Sequence, residues 1–293
     1  IYIWTDTSMF VMRFVGAPFV FSFQQVGTNC GLIGKNAAVE VDGNAYWMSE
    51  NGFFRYTGKL ESLACLVEDY VYDDINTVPK NHIYAGLNNL FGEVTWFYPG
   101  SGSASNNRSV TYNYMDSTAE RPIWTTSSLA RSTWADSAIF GKPHGTEYDA
   151  DATSDATVGN TEGVTTYYEH ETGTNQIKAG STTAIAASIQ SGDFDLDQRG
   201  LAGDGEFMMK IRRVIPDFLQ QTGAARVTLN LKNYPTDTEA SSSLGPFEVD
   251  SDTTKIDTRA RARAIALKVD NTSITQHWKL GTFRLDIQPD GRR

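Results

Sequence analysis

With 293 residues, 40% of them hydrophobic and 12% aromatic, the chain carries enough apolar material for a packed core and too much for a disordered segment. Its length reads as two domains or one large all-β unit. The formal charge of −10 is uneven: residues 1–180 hold 10 basic and 20 acidic side chains, residues 181–293 hold 15 of each, so the first part lacks the Lys and Arg density that clamps phosphates, which speaks against tight DNA binding.

The chain opens on Ile1-Tyr2-Ile3-Trp4 with no initiator Met and no signal-peptide pattern, and reads as a piece of a longer polypeptide. No apolar run reaches the roughly 20 residues of a membrane span, and the longest, such as Ala17 to Phe23, are strand-sized. Cys30 and Cys65 stand outside any CxxC or Cys/His spacing, which gives zinc no support and fits buried thiols in a reducing compartment.

Val39 to Met48 predicts a hairpin turning on Asp42-Gly43, because Asp-Gly tolerates the positive φ of a tight turn, and Gly52 to Gly58 adds a third strand. Glu61 to Asn76 has nearly helical apolar spacing and predicts a short amphipathic helix. His82 to Gly86, Gly92 to Tyr98 and Ser109 to Tyr114 predict three more strands, with Pro99 to Asn107 as a polar loop. Ile123 to Thr125 closes that group, and Val164 to Glu169 is expected as the central strand of the next. Meanders of three or four strands thus recur about every 40 to 50 residues, as in β-propeller blades. Trp47, Trp96 and Trp124 read as core residues, with a sugar-stacking platform as the other use of such aromatics. Gly145 to Gly163 is poor in large apolar groups and reads as a mobile surface loop. The small-residue stretch Lys178 to Ala187 marks the domain boundary, giving domains 1–180 and 181–293.

In the second domain, Asp193 to Asp197, Arg226 to Lys232, Arg261 to Val269 and Lys279 to Ile287 alternate between apolar and polar, the pattern of antiparallel strands with one solvated face. Residues 187–293 are expected to form a β-sandwich. The fold class is therefore all-β: propeller-like blades, then an antiparallel sandwich.

Asp193, Asp195, Asp197 and Asp204, and likewise Asp149, Asp151 and Asp155, supply the oxygens that calcium favours, but no EF-hand spacing; solvated edges are the plainer reading. Arg259, Arg261 and Arg263 would lie about 7 Å apart on one strand face. They are the candidate subunit interface, suited to a partner's carboxylates or to intramolecular Asp residues ahead of DNA, since this domain is charge-neutral and lacks interleaved aromatics. There is no GxSxG elbow, GxGxxG, Walker loop or HExxH. His170, between Glu169 and Glu171, reads as a surface group, and His82, His144 and His277 have no partner identifiable from sequence. Propeller glycosidases use two facing carboxylates, and 35 acids always furnish a pair. The sequence therefore names no catalytic residue, cofactor or metal ligand.

Several phrases resemble the tail nozzle, or packaged-DNA stabilisation, proteins of short-tailed phages: Trp4 to Phe10, Gly16 to Phe19, Cys30 to Ala37, Val41 to Gly43, Tyr46 to Met48, Tyr98-Pro99, Trp124 to Trp134, Tyr168 to Glu171 and Trp278 to Arg293. The resemblance spans nearly the whole chain. It implies a non-enzymatic virion protein of the tail, assembled in the host cytoplasm as a hexameric ring below the portal and adaptor. Such a ring retains packaged double-stranded DNA and conducts it during ejection without sequence-specific binding, contacting the adaptor and other tail proteins. It also implies earlier blades that precede Ile1. The competing expectation is a carbohydrate-binding or carbohydrate-cleaving propeller of the virion, with an aromatic-lined pocket and two facing carboxylates.

Overall fold

In the computed structural model, which describes residues 1–149, 163–178, 180–196, 207–234, 236–237 and 242–291, the chain is almost entirely antiparallel β structure in two compact units, Ile1–Thr172 and Gly173–Arg293.

The first unit is a series of four meanders in which each strand pairs with the next in sequence. They comprise β1 (Tyr2–Trp4), β2 (Ser8–Phe14) and β3 (Phe21–Thr28); β4 (Ala38–Val41), β5 (Asn44–Ser49), β6 (Gly52–Tyr56) and β7 (Leu60–Leu63); β8 (Tyr84–Asn88), β9 (Glu93–Tyr98), β10 (Arg108–Asn113) and β11 (Trp124–Ser127); and β12 (Thr133–Ala135), β13 (His144–Asp149) and β14 (Val164–Glu169). Helix α1 (Glu68–Asp74) joins the second meander to the third, and the one-turn α2 (Ser137–Phe140) lies between β12 and β13. The leading strands β4, β8 and β12 are neighbours, and the Ala85 amide donates to the Asn36 carbonyl at 2.7 Å, so successive meanders pack like blades. The Asp42-Gly43 turn holds both residues at positive φ, 50° and 82°, the backbone twist that a two-residue hairpin requires.

Tryptophan supplies the ties between meanders. The indole N–H of Trp47 donates to the Cys30 carbonyl (2.8 Å), that of Trp96 to Ala37 (3.0 Å), that of Trp124 to Ala64 (2.8 Å) and that of Trp134 to Leu87 (2.7 Å). In each case the ring belongs to one meander and the carbonyl to the chain of the preceding one or the segment leading from it. Trp47 and Trp96 are fully buried, so they are core residues and present no open ring face to a sugar. Between the second and third meanders Trp96 packs with Phe53, Tyr46, Met48 and Ile83.

The second unit is a sandwich. It opens on the hairpin β15 (Asn175–Lys178) and β16 (Ser181–Ala184). One sheet orders β17 (Ala187–Gln190), β24 (Ala264–Asn271), β21 (Ala225–Lys232) and β22 (Ser243–Val249), with β18 (Phe194–Asp195) also on β24. The other orders β23 (Ile256–Ala262), β19 (Met209–Ile215) and β26 (Arg284–Pro289), and β20 (Phe218–Thr222) pairs with β25 (His277–Leu280). Ile211, Val214, Val227, Leu229, Ile265 and Val269 fill the space between the two larger sheets.

Several sequence expectations are corrected. Glu61 to Leu63, expected within the amphipathic helix, belong to β7 (Leu60–Leu63), the fourth strand of its meander, and the helix starts only at Glu68. Gly145 to Asp149, expected as loop, belongs to β13, the central strand of the fourth meander, while β14 is its edge. The rest of that expected loop, to residue 162, lies outside the described residues. The stretch Lys178 to Ala187 contains β16. The alternating runs Arg261–Val269 and Lys279–Ile287 are each two strands: the chain leaves one sheet at Arg263 to enter the other, and breaks again at Gly281, whose amide is held by the Asp217 carbonyl at 2.7 Å.

Candidate functional site

Of the three arginines singled out, Arg259 and Arg261 lie on the exposed face of β23, whereas Arg263 sits at the corner beyond it, its amide bonded to the Lys232 carbonyl at 3.1 Å. The three therefore do not form one row. What the sequence did not reveal is the neighbouring strand. Register places Lys210 of β19 opposite Arg261, and a bulge between Ile211 and Arg213 turns Arg212 outward. On the far side β26 pairs with β19 so that Arg284 and Asp286 share this outer face. The inner residues Ile211, Val214, Ala260 and Ala262 are all fully or almost fully buried, which fixes the polarity of the sheet: apolar side to the core, guanidinium side to solvent.

This face holds more cations than anions. Asp257 takes hydrogen bonds from Arg213 (3.0 Å) and Lys255 (2.7 Å), which hold its carboxyl below the usual carboxylate range, and Arg261 pairs with Asp290. Among the described residues Lys210, Arg212, Arg259 and Arg284 make no ion pair. Unpaired cations on three adjacent strands suit an acidic surface of appreciable area. Charges on the edge strand β23 also block sheet-to-sheet pairing, which by itself accounts for Arg259 and Arg261 but not for Lys210 on the central strand.

Among the described residues the Asp groups build no cation site. Asp193 pairs with Lys232 at 2.9 Å and Asp149 ends β13; Asp151, Asp155, Asp197 and Asp204 lie outside the described residues. Among the described residues no three His, Cys, Asp or Glu side chains converge on a metal position. Cys30 is buried and Cys65 half-buried, both as free thiols.

His170 is not a simple surface group. Arg131, almost completely buried, donates from Nε to His170 Nε2 at 2.8 Å, stacks its guanidinium 3.9 Å above the Tyr168 ring and approaches Glu147 Oε2 at 3.7 Å. Tyr168 in turn donates to Glu147 at 2.7 Å, and the Asn106 amide donates to the Arg131 carbonyl at 2.8 Å. Burial first, then the Arg131 charge and that of His144, push the imidazole pKa down to about 4. The basic nitrogen is already occupied by a guanidinium, so this ring is a neutral acceptor at pH 7 and not a general base. The cluster closes the fourth meander around a buried charge whose counter-ion and hydrogen-bond partners are all supplied locally, as a buried arginine requires. Elsewhere His82 Nδ1 lies 2.9 Å from the Ala104 carbonyl, His144 bonds Tyr167, and His277 begins β25.

No described helix is long and apolar enough to cross a membrane. Comparison of the chain with models of protein families gives no match, and comparison with curated proteins gives none either.

Proposed function

We propose that the chain is a structural component of a short-tailed phage tail, a nozzle-like protein that assembles as a ring, retains the packaged DNA and guides it out during ejection. The observation that carries this reading is the cationic outer face of β23, β19 and β26, where, among the described residues, Lys210, Arg212, Arg259 and Arg284 make no ion pair, a surface suited to an acidic protein partner within an assembly. The blade-like meanders fit a ring wall, and the acidic excess of residues 1–180 fits a conduit in which a duplex slides and is not held through its phosphates. Closed cyclic symmetry builds such a conduit from one kind of chain. The carbohydrate reading finds less support, because Trp47 and Trp96 are consumed by the core.

The experiment is reversal of Arg259 and Arg261 to Glu in the full chain. These residues have at most one surface pair, and surface pairs contribute about 0–1 kcal/mol, so the variant should fold with nearly unchanged thermal stability. Assembly, read by light scattering alone and with the adaptor, should be lost. Assembly at normal yield would refute the assignment of this face.

A further inference from the structure

The carboxylates that would complement the cationic outer face of β23, β19 and β26 are held by the chain itself, in its other unit. Residues 1–172 contain 9 basic and 20 acidic side chains, whereas residues 173–293 contain 16 and 15. On the cationic face, register sets Lys210 opposite Arg261, and Arg212, Arg259 and Arg284 are exposed on the three strands in turn. Beside Arg259 an open groove of about 430 Å³ follows the free edges of β23 and β22, lined by Leu244, Phe247, Asp257 and Thr258. Asp257 is already engaged by Arg213 and Lys255. An occupant of this face must therefore bring carboxylates arranged around apolar side chains.

The first unit has such a surface where the turns of three meanders meet. The Tyr114 hydroxyl donates to Asn89 Oδ1 at 3.0 Å, and Asn89 donates to Asp136 from its backbone amide (3.1 Å) and from Nδ2 (2.6 Å), which ties the β10–β11 and β8–β9 turns to the segment after β12. Tyr114 also packs against Tyr46 of β5. Burial, then the charges of Asp42 and Asp136, raise the Tyr114 hydroxyl above its ordinary pKa, which brings the β4–β5 turn into the same group. Met115 lies against Gly92 and is 68% exposed, with Leu90 and Phe91 half exposed in the β8–β9 turn. The same turns carry Asp42, Asp116, Glu120 and Asp136 and a single base, Arg121. Two unlike patches of one chain, matched in charge and each with an apolar part, are the halves of a head-to-tail contact, and such contacts generate rings when the rotation closes. We infer that the cationic face of one copy seats on the acidic turns of a second copy, with Met115 entering the groove beside Arg259. This inference rests on the ring reading and names the acidic partner of the face.

The test uses two variants of the full chain. Arg212→Glu with Arg259→Glu reverses the face, and Asp116→Lys with Glu120→Lys reverses the turns; all four side chains are exposed, so both proteins should keep nearly the wild-type melting temperature. Each variant alone sets like charges against each other and should self-associate about tenfold or more weakly than wild type by light scattering. Mixed one to one, each reversed patch meets its complement, and rings of alternating copies should form. Independently, a photoreactive benzophenone amino acid in place of Met115 should crosslink to residues 244–259 of an isotope-labelled copy. No rings in the mixture, normal assembly of the turn variant alone, or crosslinks that fall elsewhere would overturn the contact and leave the ring reading standing. So would a face variant that still self-assembles but no longer binds the adaptor, since the face would then belong to the adaptor. A wild-type chain that stays monomeric at every concentration, alone and with the adaptor, would overturn both.

Discussion

At the residue scale, buried hydrogen bonds decide what each side chain is for. Trp96 fills a core site and donates to the Ala37 carbonyl, which also accepts the Met48 amide at 3.1 Å, so Trp96→Phe keeps most of the shape and removes one hydrogen bond without orphaning the acceptor, at about 0.5–1.5 kcal/mol by urea denaturation. Loss of less than a few tenths would mean that the indole N–H is not a tie between meanders. His170 makes a pH prediction. Its folded pKa lies near 4, below the ordinary 6.5, so the unfolded chain takes up the proton first as pH falls. The contribution is complete above about pH 6.5 and is lost progressively down to about pH 4. The difference in urea midpoint between the wild type and His170→Gln should therefore shrink across that window; a constant difference would show that the ring titrates normally. His170 could not be assigned this role from sequence, because its partner Arg131 is in another strand-to-strand segment and only folding brings them to 2.8 Å.

At the element scale, turns are legible and corners are not. Asp42-Gly43 announces its hairpin because the turn is chemically restrictive. The prediction is correspondingly sharp: Gly43→Ala meets no neighbouring atom and should cost only the left-handed backbone penalty, about 1–2 kcal/mol. Gly31→Ala is different, since its Cβ would lie 2.1 Å from the Asp6 carbonyl oxygen; the first meander should then fail to dock, seen as early exposure of Trp4 and Trp47 fluorescence. Equal melting of the two variants would contradict this distinction. Strand β13 is hard to read from sequence because His144 to Asp149 has one β-branched residue, Thr146, and no aliphatic one, and it is central only by virtue of β12 and β14 on either side. The corner at Arg263 is likewise hidden: the inward positions are even up to Ala262 and odd from Ile265 onward, and the apolar run Ala264 to Leu267 masks that shift in the sequence. The cationic face was half legible: Arg259 and Arg261 are two residues apart, the spacing of one strand face, but Lys210 and Arg212 join them through register alone.

At the scale of the whole molecule, the fold class was readable because it rests on period and turn chemistry repeated along the chain, whereas the surfaces that assembly would use are products of topology. Two such surfaces stand out: the cationic sheet face and the acidic turns around Met115. The central claim, that the chain works as a ring, is tested most directly by the oligomeric mass of the full-length protein, from light scattering with negative-stain imaging, alone and with the adaptor. The account predicts a closed ring of about six subunits with an open centre, as cyclic symmetry requires of a conduit; a stable monomer under both conditions would contradict it.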